Sequence, residues 1–203
     1  MTNLTEQMAT LGLDILRAPS PIDWVETVLD NFPAFMQDHA DCERKASAMA
    51  LSFIAKYPDR LEIIPELMDT AIEELQHFRQ VYRLMEKRGI PLAKEIAKDA
   101  YIGDLLRLCR STSQERFLDR LIIASVVEWR GCERFRKVAE ALQEPELKNF
   151  YALLWQSEAR HGESFTEMAK YYFPLDEINR RLDFFLTEEA LLIKRLPLRP
   201  ALH

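Results

Sequence analysis

Apolar side chains recur every three or four residues along most of the chain, which is the spacing of an α-helix. The clearest example opens at Pro33, where Met36, Ala40 and Ala50 share one predicted helix face. This helix is expected to end before Pro58, because a proline disfavours helical backbone in the residue that precedes it. No useful stretch alternates apolar and polar residues, so the chain is predicted to be all-α.

Helix-end signals divide the rest of the chain. Asp59 with Glu62, and Thr112 with Glu115, have the spacing of a capping box, in which two residues satisfy free N–H groups at a helix start. Gly89 fits the left-handed residue that ends many helices. The predicted helices are short ones around Leu4–Arg17 and Pro21–Asp30, long ones over Pro33–Tyr57, Asp59–Arg88, Thr112–Leu142 and Pro145–Tyr172, and others over Leu92–Arg110 and Leu175–Arg195.

Four of these helices have about 25 residues or more, so each can span roughly 40 Å. They form two predicted hairpins, one on either side of Pro58 and one on either side of Pro145. The segment Leu92–Arg110 would then be the long crossover of a four-helix bundle. We expect a single domain over residues 1–203, with its bundle core at about 33–172, short N-terminal helices at 4–30 and a C-terminal helix and tail at 175–203.

Composition excludes several classes of function. Only 5 of the 203 residues are glycine, and no glycine-rich nucleotide-binding motif occurs. Charges interrupt every apolar run before the roughly 18 residues of a membrane span, and the first residues lack the pattern of a secretory signal. Three cysteines at spacings that suggest no disulfide fit a reducing cytoplasm. The 27 basic and 33 acidic residues give a net charge of −6, so the net charge of the chain does not attract it to nucleic acid.

Two Glu-x-x-His motifs carry the most specific chemical signal. Glu74 and His77 lie in the second long predicted helix, and Glu158 and His161 lie in the fourth. Because residues three apart share a helix face, each motif can present a carboxylate and an imidazole to one metal ion. The chain has only 4 histidines, and two of them occur in this setting. The pair of motifs therefore indicates a metal centre, which a single motif would not.

Each motif has a glutamate at the matching depth of its partner helix. In a hairpin folded near residue 58, the position level with Glu74 is Glu43, and in a hairpin folded near residue 143, the position level with Glu158 is Glu128. A di-metal carboxylate bundle needs one such glutamate from each of its other two helices. Glu133 is an alternative to Glu128, because its neighbours repeat those of Glu43, although its depth matches less well.

Four glutamates and two histidines form an oxygen-rich ligand set that suits iron or manganese better than structural zinc. Six protein ligands shared by two ions leave coordination positions open, which is typical of a reactive site. Alternatively, these residues form surface salt bridges with nearby arginines, which explains any one motif but not matching depths in four helices. His39, one turn before Glu43, is interpreted as an ordinary core or surface histidine, with a supporting contact to a metal ligand as the alternative, and His203 as part of a disordered terminus.

Five segments match the motifs of a known family, and the likeness runs over roughly Phe35 to Lys170. They are Glu43-Arg44-Lys45-Ala46, Tyr57-Pro58-Asp59, Glu73-Glu74-Leu75-Gln76-His77-Phe78, Glu128-Trp129-Arg130-Gly131-Cys132-Glu133-Arg134-Phe135 and Ser157-Glu158-Ala159-Arg160-His161. On these segments the sequence resembles the ferritin-like di-iron family and, within it, the bacterial 2-methylthio-isopentenyladenosine tRNA hydroxylases. All ferritin-like di-iron proteins share the Glu-x-x-His pairs, whereas the last two segments are more specific.

The resemblance implies a ferritin-like four-helix bundle with extra terminal helices and a di-iron centre at the six residues proposed above. It also implies O₂-dependent hydroxylation of the isopentenyl side chain of a hypermodified adenosine beside the tRNA anticodon. Two electrons would come from an unidentified electron-transfer protein, since the chain has no redox cluster of its own. We expect a cytoplasmic monomer or small homo-oligomer that does not associate with membranes.

Basic residues give weaker support for tRNA as a partner. Such groups can bind the phosphates of an anticodon stem-loop, although each cluster alone also fits a solvated helix face. The clusters are one on the second long helix, Arg79, Arg83, Lys87 and Arg88, and one in the C-terminal segment, Lys194, Arg195 and Arg199.

Other functions fit the same ligand set. A manganese catalase or a peroxidase-like protein would keep the site with another metal or oxidant. An iron-storage protein would assemble into a large cage that holds iron in excess of the site. A purely structural helical module would bind no metal at all. The main prediction is a di-iron monooxygenase that acts on tRNA.

Overall fold

The computed structural model describes residues 15–95 and 99–203. These residues form seven α-helices and no β-strand, which confirms the all-α prediction. The helix predicted around Leu4–Arg17 falls mostly on residues 1–14, outside the described part of the chain. The helices are α1 (Asp23–Asp30), α2 (Phe32–Lys56), α3 (Ile64–Lys87), α4 (Ala100–Arg107), α5 (Ser113–Ala141), α6 (Pro145–Lys170) and α7 (Leu175–Arg195), with a short 3₁₀ helix, Leu61–Ile63, before α3.

Contacts divide the chain into two compact units. In the first unit, formed by Glu26–Lys98 and Leu198–Leu202, α2 packs along α3 as a helical hairpin. The second unit consists of Asp99–Pro197, His203 and residues 15–25, and in it α5 packs along α6 while α7 packs against α5. Both predicted hairpins are therefore present, and the single-domain organisation stays a prediction.

Helix α2 begins one residue before its predicted start at Pro33. The side chain of Asn31 accepts a hydrogen bond from the Ala34 N–H at 3.3 Å and caps the helix. Pro33 lies in the first turn, where the N–H that it lacks would have had no intrahelical partner. At the other end, the Tyr57 N–H donates to the carbonyl oxygen of Phe53 at 2.9 Å.

The capping box predicted at Asp59 and Glu62 is wrong. Residues Leu61–Ile63 form a 3₁₀ helix, and neither this element nor α3 has a side-chain cap. Helix α3 begins instead at Ile64, with Pro65 in its first turn. Because proline has a helical φ angle built in and needs no N–H partner there, it sets the start of the helix.

The far end of α3 has the predicted glycine cap. Gly89 has a φ angle of 66°, in the left-handed region. The N–H of Ile90 donates to the carbonyl oxygen of Met85 at 3.0 Å, and the N–H of Gly89 donates to that of Glu86 at 3.1 Å. These two bonds are the Schellman pattern, which satisfies carbonyl groups that the helix leaves open.

The helix predicted over Leu92–Arg110 is shorter in the structure. Helix α4 begins at Ala100, and residues 91–95 are not helical, so the first part of that prediction is wrong. The carboxylate of Asp99 accepts a hydrogen bond from the Ile102 N–H at 3.1 Å. This bond satisfies a first-turn donor, which favours a helix start at this position over one near the preceding proline.

Helix α5 opens with Thr112 as its N-cap, and the side chain of Glu115 bonds to the Thr112 hydroxyl instead of the N–H group that a full capping box would use. Thr112 Oγ1 accepts a hydrogen bond from the Glu115 N–H at 3.3 Å, and its hydroxyl donates to the Glu115 carboxylate at 2.6 Å. The helix then continues for 29 residues to Ala141. Helices α6 and α7 begin at Pro145 and Leu175, as predicted.

A buried cluster of charged side chains joins α5 to α7 and to the segment that contains Ala18 and Ser20. Arg130 is fully buried and forms a bidentate pair with Glu189 of α7, at 2.7 and 2.9 Å. It also donates to Glu133 at 3.1 Å and to the carbonyl oxygen of Ala18 at 2.7 Å, while the Ser20 hydroxyl donates to Glu133 at 2.6 Å. Removal of one member would leave a buried charge uncompensated, which is strongly destabilising.

His203 has a defined position in the second unit, so its expected disorder is wrong. Its ring stacks on that of Tyr101 with the centroids 5.0 Å apart, and its Nδ1 atom lies 3.7 Å from the Asp99 carboxylate. Burial lowers the pKa of His203 to about 4. Nothing in the local pattern of the last residues indicates this stacking on Tyr101 of α4.

Candidate metal centre

The first hairpin brings Glu43 of α2 together with Glu74 and His77 of α3. The Nδ1 atom of His77 lies 3.6 Å from Oε2 of Glu43 and 3.6 Å from Oε2 of Glu74. Each of the three residues offers a ligand atom, and these atoms lie within 4.8 Å of one another. All three side chains are buried. These residues are the first half-site.

The second hairpin repeats this arrangement. Glu128 lies on α5, and Glu158 and His161 lie on α6, with their ligand atoms within 4.8 Å of one another. The Nδ1 atom of His161 is 3.0 Å from Oε2 of Glu158. All three side chains are buried here as well. These residues are the second half-site.

Helical periodicity explains how the motifs reach the interior. On α3, Glu74 and His77 continue the buried face that begins with Leu67, Thr70 and Ala71. Residues three and four apart lie on the same side of a helix, so the carboxylate and the imidazole point in one direction. The carboxylate and the imidazole of this motif therefore lie together on the buried face of α3.

The residues present fit a metal ion in each half-site. Two carboxylates and one imidazole are suitable ligands. Metal–ligand bonds of about 2.1 Å would place the ligand atoms of one ion at most about 4.2 Å apart. The ligand atoms in the structure lie within 4.8 Å of one another, which is close to this limit. Buried carboxylates are costly without a cation. The salt-bridge alternative finds little support, because Arg44 bonds to Asp41 at 2.7 Å and Arg130 bonds to Glu133 and Glu189.

The structure separates Glu128 from its alternative. Glu128 lies with the ligand atoms of Glu158 and His161. Glu133 instead accepts hydrogen bonds from the backbone N–H and the hydroxyl of Ser20, and it pairs with Arg130. Burial opposes ionisation of Glu133, but Arg130 and these hydrogen bonds outweigh it and lower its pKa. Glu133 therefore belongs to the buried charge cluster, away from the second half-site.

His39 contacts a candidate ligand, which is the alternative that the sequence left open for it. It is fully buried on α2, and its Nε2 atom lies 2.6 Å from Oε1 of Glu43. The spacing of four residues between His39 and Glu43 was a signal for this contact, since such residues are neighbours on a helix surface. The interpretation as a satisfied core histidine holds, and the partner that satisfies it is a candidate ligand.

Gly162 is a residue that the sequence analysis missed. A Cβ atom added there would lie 2.4 Å from Nε1 of Trp129, which no real contact allows. Trp129 follows Glu128 directly on α5, and Gly162 follows His161 on α6. The indole ring therefore packs on the backbone of α6 beside the second half-site.

The basic residues proposed for tRNA lie in both units. On α3, the side chains of Arg79, Arg83 and Lys87 are exposed, while the half-buried Arg88 donates to the carbonyl oxygen of Leu84 at 3.0 Å. In the C-terminal segment, Lys194 and Arg195 are exposed and Arg199 is half-buried. Arg195 also bonds to Asp104 at 3.1 Å, so part of its charge is compensated within the chain.

Two helical hairpins, each with one glutamate opposite a Glu-x-x-His motif, define a protein of the ferritin-like class. The solved structure of a Synechococcus protein, "Protein 43 with aldehyde deformylating oxygenase activity", superposes on this chain with a TM-score of 0.86. The two are 32% identical, and the match covers 91% of this chain and 92% of that one. The predicted ferritin-like fold is therefore confirmed.

The chain belongs to the tRNA-(MS[2]IO[6]A)-hydroxylase (MiaE) family, whose model matches residues 7–203. It is 37% identical over 179 residues to the tRNA 2-(methylsulfanyl)-N(6)-isopentenyladenosine(37) hydroxylase of Pseudomonas putida strain KT2440, which covers 88% of this chain and 86% of that one. A protein of the same name from Salmonella typhimurium strain LT2 is 29% identical over 236 aligned positions, with 92% and 86% covered. The chain is thus an enzyme of a hydroxylase family, as the motifs indicated.

None of the helices in residues 15–95 and 99–203 has both the length and the apolar character that a bilayer crossing requires.

Proposed function

We propose that this enzyme uses O₂ to hydroxylate the isopentenyl side chain of 2-methylthio-isopentenyladenosine in tRNA. The observation that carries the proposal is the repeated half-site, in which a glutamate lies beside a Glu-x-x-His motif in each of two hairpins. The family and the two curated relatives, which are named for this nucleoside, supply the substrate class.

The metal assignment follows from the two half-sites. We assign two iron ions to six ligands, with none of the protein's other side chains required as a catalytic group: Glu43, Glu74, His77, Glu128, Glu158 and His161. When bound, two ferrous ions supply the reducing equivalents that activate O₂ toward an unreactive C–H bond. The four carboxylates balance the positive charge of the ions, and the helices hold each ligand in a fixed direction.

The surroundings of the second half-site suit an apolar substrate. On α5, Leu121 and Ala124 precede Glu128 by seven and four residues, so they share its side of the helix, and both are buried. Such side chains exclude water, and they leave an apolar prenyl group as the favoured occupant of any space near the ligands. Exclusion of water also protects a reactive site from side reactions.

The remaining parts of the proposal concern partners. The exposed residues Arg79, Arg83 and Lys87 are suited to phosphates of the anticodon stem-loop, together with Arg88, Lys194, Arg195 and Arg199. Two electrons per turnover come from a separate electron-transfer protein. We place the enzyme in the cytoplasm, where tRNA is modified, as a monomer or small homo-oligomer.

The test begins with iron. The full chain is loaded anaerobically with Fe²⁺ and desalted, and we expect about two iron ions per chain. The loaded protein is reduced with dithionite and a redox mediator, freed of excess dithionite, and then mixed with isotopically labelled O₂ and tRNA that carries the isopentenyl nucleoside. Mass spectrometry of the digested nucleosides should show the gain of one labelled oxygen atom.

Glu158→Ala is the variant that should lose function in this test. We expect its iron content to fall and hydroxylation to be abolished, because the second half-site loses a ligand, while circular dichroism still reports a helical fold. Glu163→Ala, an exposed position on the same helix, serves as the control and should behave like the wild type.

Four results would contradict the proposal: iron at background in the wild type, full activity in Glu158→Ala, a large cage with iron in excess of the site, or turnover of peroxide or a long-chain aldehyde in place of the nucleoside.

A further inference from the structure

The second half of α3 presents two aromatic rings at the protein surface. Phe78 and Tyr82 are four residues apart, and their rings stack with the centroids 6.4 Å apart and the planes inclined by 26°. Phe78 is half-buried, while Tyr82 is 38% exposed. Because residues four apart are neighbours on a helix surface, the two rings form one continuous aromatic surface that reaches the solvent at Tyr82.

An arginine follows each ring directly in the sequence. Arg79 and Arg83 are exposed and are also four residues apart, so two cations run beside the two rings along the helix. In the part of the chain that the structure describes, no ion pair or hydrogen bond engages either guanidinium. From the first ring to the end of α3, the one acidic residue is Glu86. The rings are therefore accompanied by positive charge that the described residues do not compensate.

This combination of groups suits unpaired bases better than a paired stem. The bases of a single strand stack on aromatic side chains and on guanidinium planes. A duplex keeps its bases stacked inside the helix, so proteins contact it mainly through its phosphates and sugars. In the proposed substrate, the unpaired region is the anticodon loop, which contains the target nucleoside.

The aromatic surface begins beside the first half-site. Phe78 follows His77, a candidate metal ligand, directly in the sequence. The rings and the ligand therefore belong to the same turn of α3. Bases that stack on the rings would lie about one helix diameter, roughly 10 Å, from the side of α3 that carries the ligands.

A second surface with an exposed aromatic ring fits this role less well. Tyr171 is 65% exposed, but its ring is inclined by 51° to that of Tyr172, and the neighbouring Lys170 pairs with Glu167. The cation beside these rings is thus already compensated within the chain. Tyr171 can therefore serve as the control for an exposed aromatic residue that does not bind bases.

We propose that Phe78 and Tyr82, together with Arg79 and Arg83, form a stacking platform for unpaired bases of the anticodon loop. This inference rests on the proposed function, since it names the part of tRNA that α3 binds. The rings stack on the bases, and the guanidiniums bind the phosphates of the loop. Loss of one base–aromatic contact commonly weakens the binding of a single strand by about 5- to 150-fold.

The test compares two RNA probes on the full, iron-loaded chain under anaerobic conditions, where no turnover occurs. One probe is an anticodon stem-loop that carries the isopentenyl nucleoside, and the other is a fully paired RNA duplex of the same length. In Tyr82→Ala, the dissociation constant for the stem-loop should rise by about 5- to 150-fold, while that for the duplex should not change. Tyr82→Phe, which keeps the ring, and the control Tyr171→Ala should both bind like the wild type.

Further measurements separate stacking from a structural effect. A fluorescent adenine analogue in the loop should be quenched by the wild type and by Tyr82→Phe, and less by Tyr82→Ala, because stacking on a ring quenches it. Arg79→Gln should reduce the salt dependence of stem-loop affinity by about one phosphate contact. The iron content of each variant should match that of the wild type, since α3 keeps its ligands.

The outcomes separate this inference from the proposed function. Unchanged stem-loop binding in Tyr82→Ala, an equal loss for both probes, or loss of iron from this variant would each overturn the platform and leave the proposed hydroxylation standing. A change in oligomeric state of Tyr82→Ala with unchanged RNA affinity would also overturn it and would identify a protein-contact surface. A wild type that binds neither probe would overturn both proposals.

Discussion

Gly162 has room for a hydrogen atom and for no larger group. A Cβ atom there would meet three atoms of the Trp129 indole at 2.4 to 3.0 Å. The contact lies one residue from a candidate ligand on each helix of the second half-site, since Glu128 precedes Trp129 and His161 precedes Gly162. Close packing at this point fixes how near α5 and α6 approach beside the ligands.

We therefore expect Gly162→Ala to lower the free energy of unfolding by about 1–3 kcal/mol, because the indole has to move. The displaced helices should also weaken metal binding at the second half-site. Urea unfolding and iron content after loading are the two measurements.

Gly131→Ala is the matched control, since nothing lies within 4 Å of its added Cβ on α5. Replacing glycine by alanine inside a helix stabilises by up to about 1 kcal/mol. Equal stability changes in the two variants would show that the indole contact is not restrictive.

The six candidate ligands were predictable from the sequence because their signal is a spacing along a helix. Glu74 and His77 share a face by periodicity, and Glu43 follows from antiparallel depth in a hairpin. Gly162 was not predictable, because its requirement comes from a side chain on another helix. The contact of His39 with Glu43 was visible as a spacing of four, but nothing in the sequence distinguishes it from an ordinary buried histidine.

Helix boundaries were predicted well where the responsible chemistry is local. Pro145, Gly89 and the pair Thr112 and Glu115 each act within one turn, and the structure has a helix end at each. The box at Asp59 failed because a proline six residues later sets the start of α3. Competition between two adjacent signals cannot be resolved from either signal alone.

The glycine cap at the C-terminal end of α3 can be tested by substitution. We expect Gly89→Ala to lower the free energy of unfolding by about 1–2 kcal/mol, since a Cβ disfavours the left-handed backbone. Nothing lies within 4 Å of the added atom, so the change reports backbone strain alone.

Gly103→Ala, in the interior of α4, should do the opposite and stabilise by about 0.5–1 kcal/mol. Its added Cβ makes only an ordinary contact with Arg107, at 3.7 Å. Chemical denaturation of both variants is sufficient, and a stabilised Gly89→Ala would refute the role of the cap.

For the molecule as a whole, the sequence supported the helical class and the family, because both depend on motifs that persist over most of the chain. It did not show the position of His203. Stacking on Tyr101 depends on where the last residues return to the fold, and no local pattern encodes this. The buried cluster around Arg130 likewise joins residues more than fifty positions apart.

The buried His203 predicts a pH dependence of stability. Burial lowers its pKa to about 4, below the ordinary value of 6.5, so the folded protein binds fewer protons than the unfolded chain. The stability that neutral His203 contributes is fully present above about pH 6.5 and is lost as the pH falls toward 4.

His203→Phe keeps an aromatic ring and removes the titration. Urea unfolding midpoints across this pH range should fall more steeply for the wild type than for the variant. Parallel curves would show that His203 does not contribute to the pH dependence.

The Arg130 cluster also determines how far the protein can be shortened. A chain reduced to the predicted core at 33–172 would lose Ala18, Ser20 and Glu189, so that Arg130 would keep only Glu133 of the partners described above. The smallest useful expression fragment is therefore longer than the four helices that carry the ligands. A shortened enzyme would have to supply new partners for Arg130 or replace this arginine.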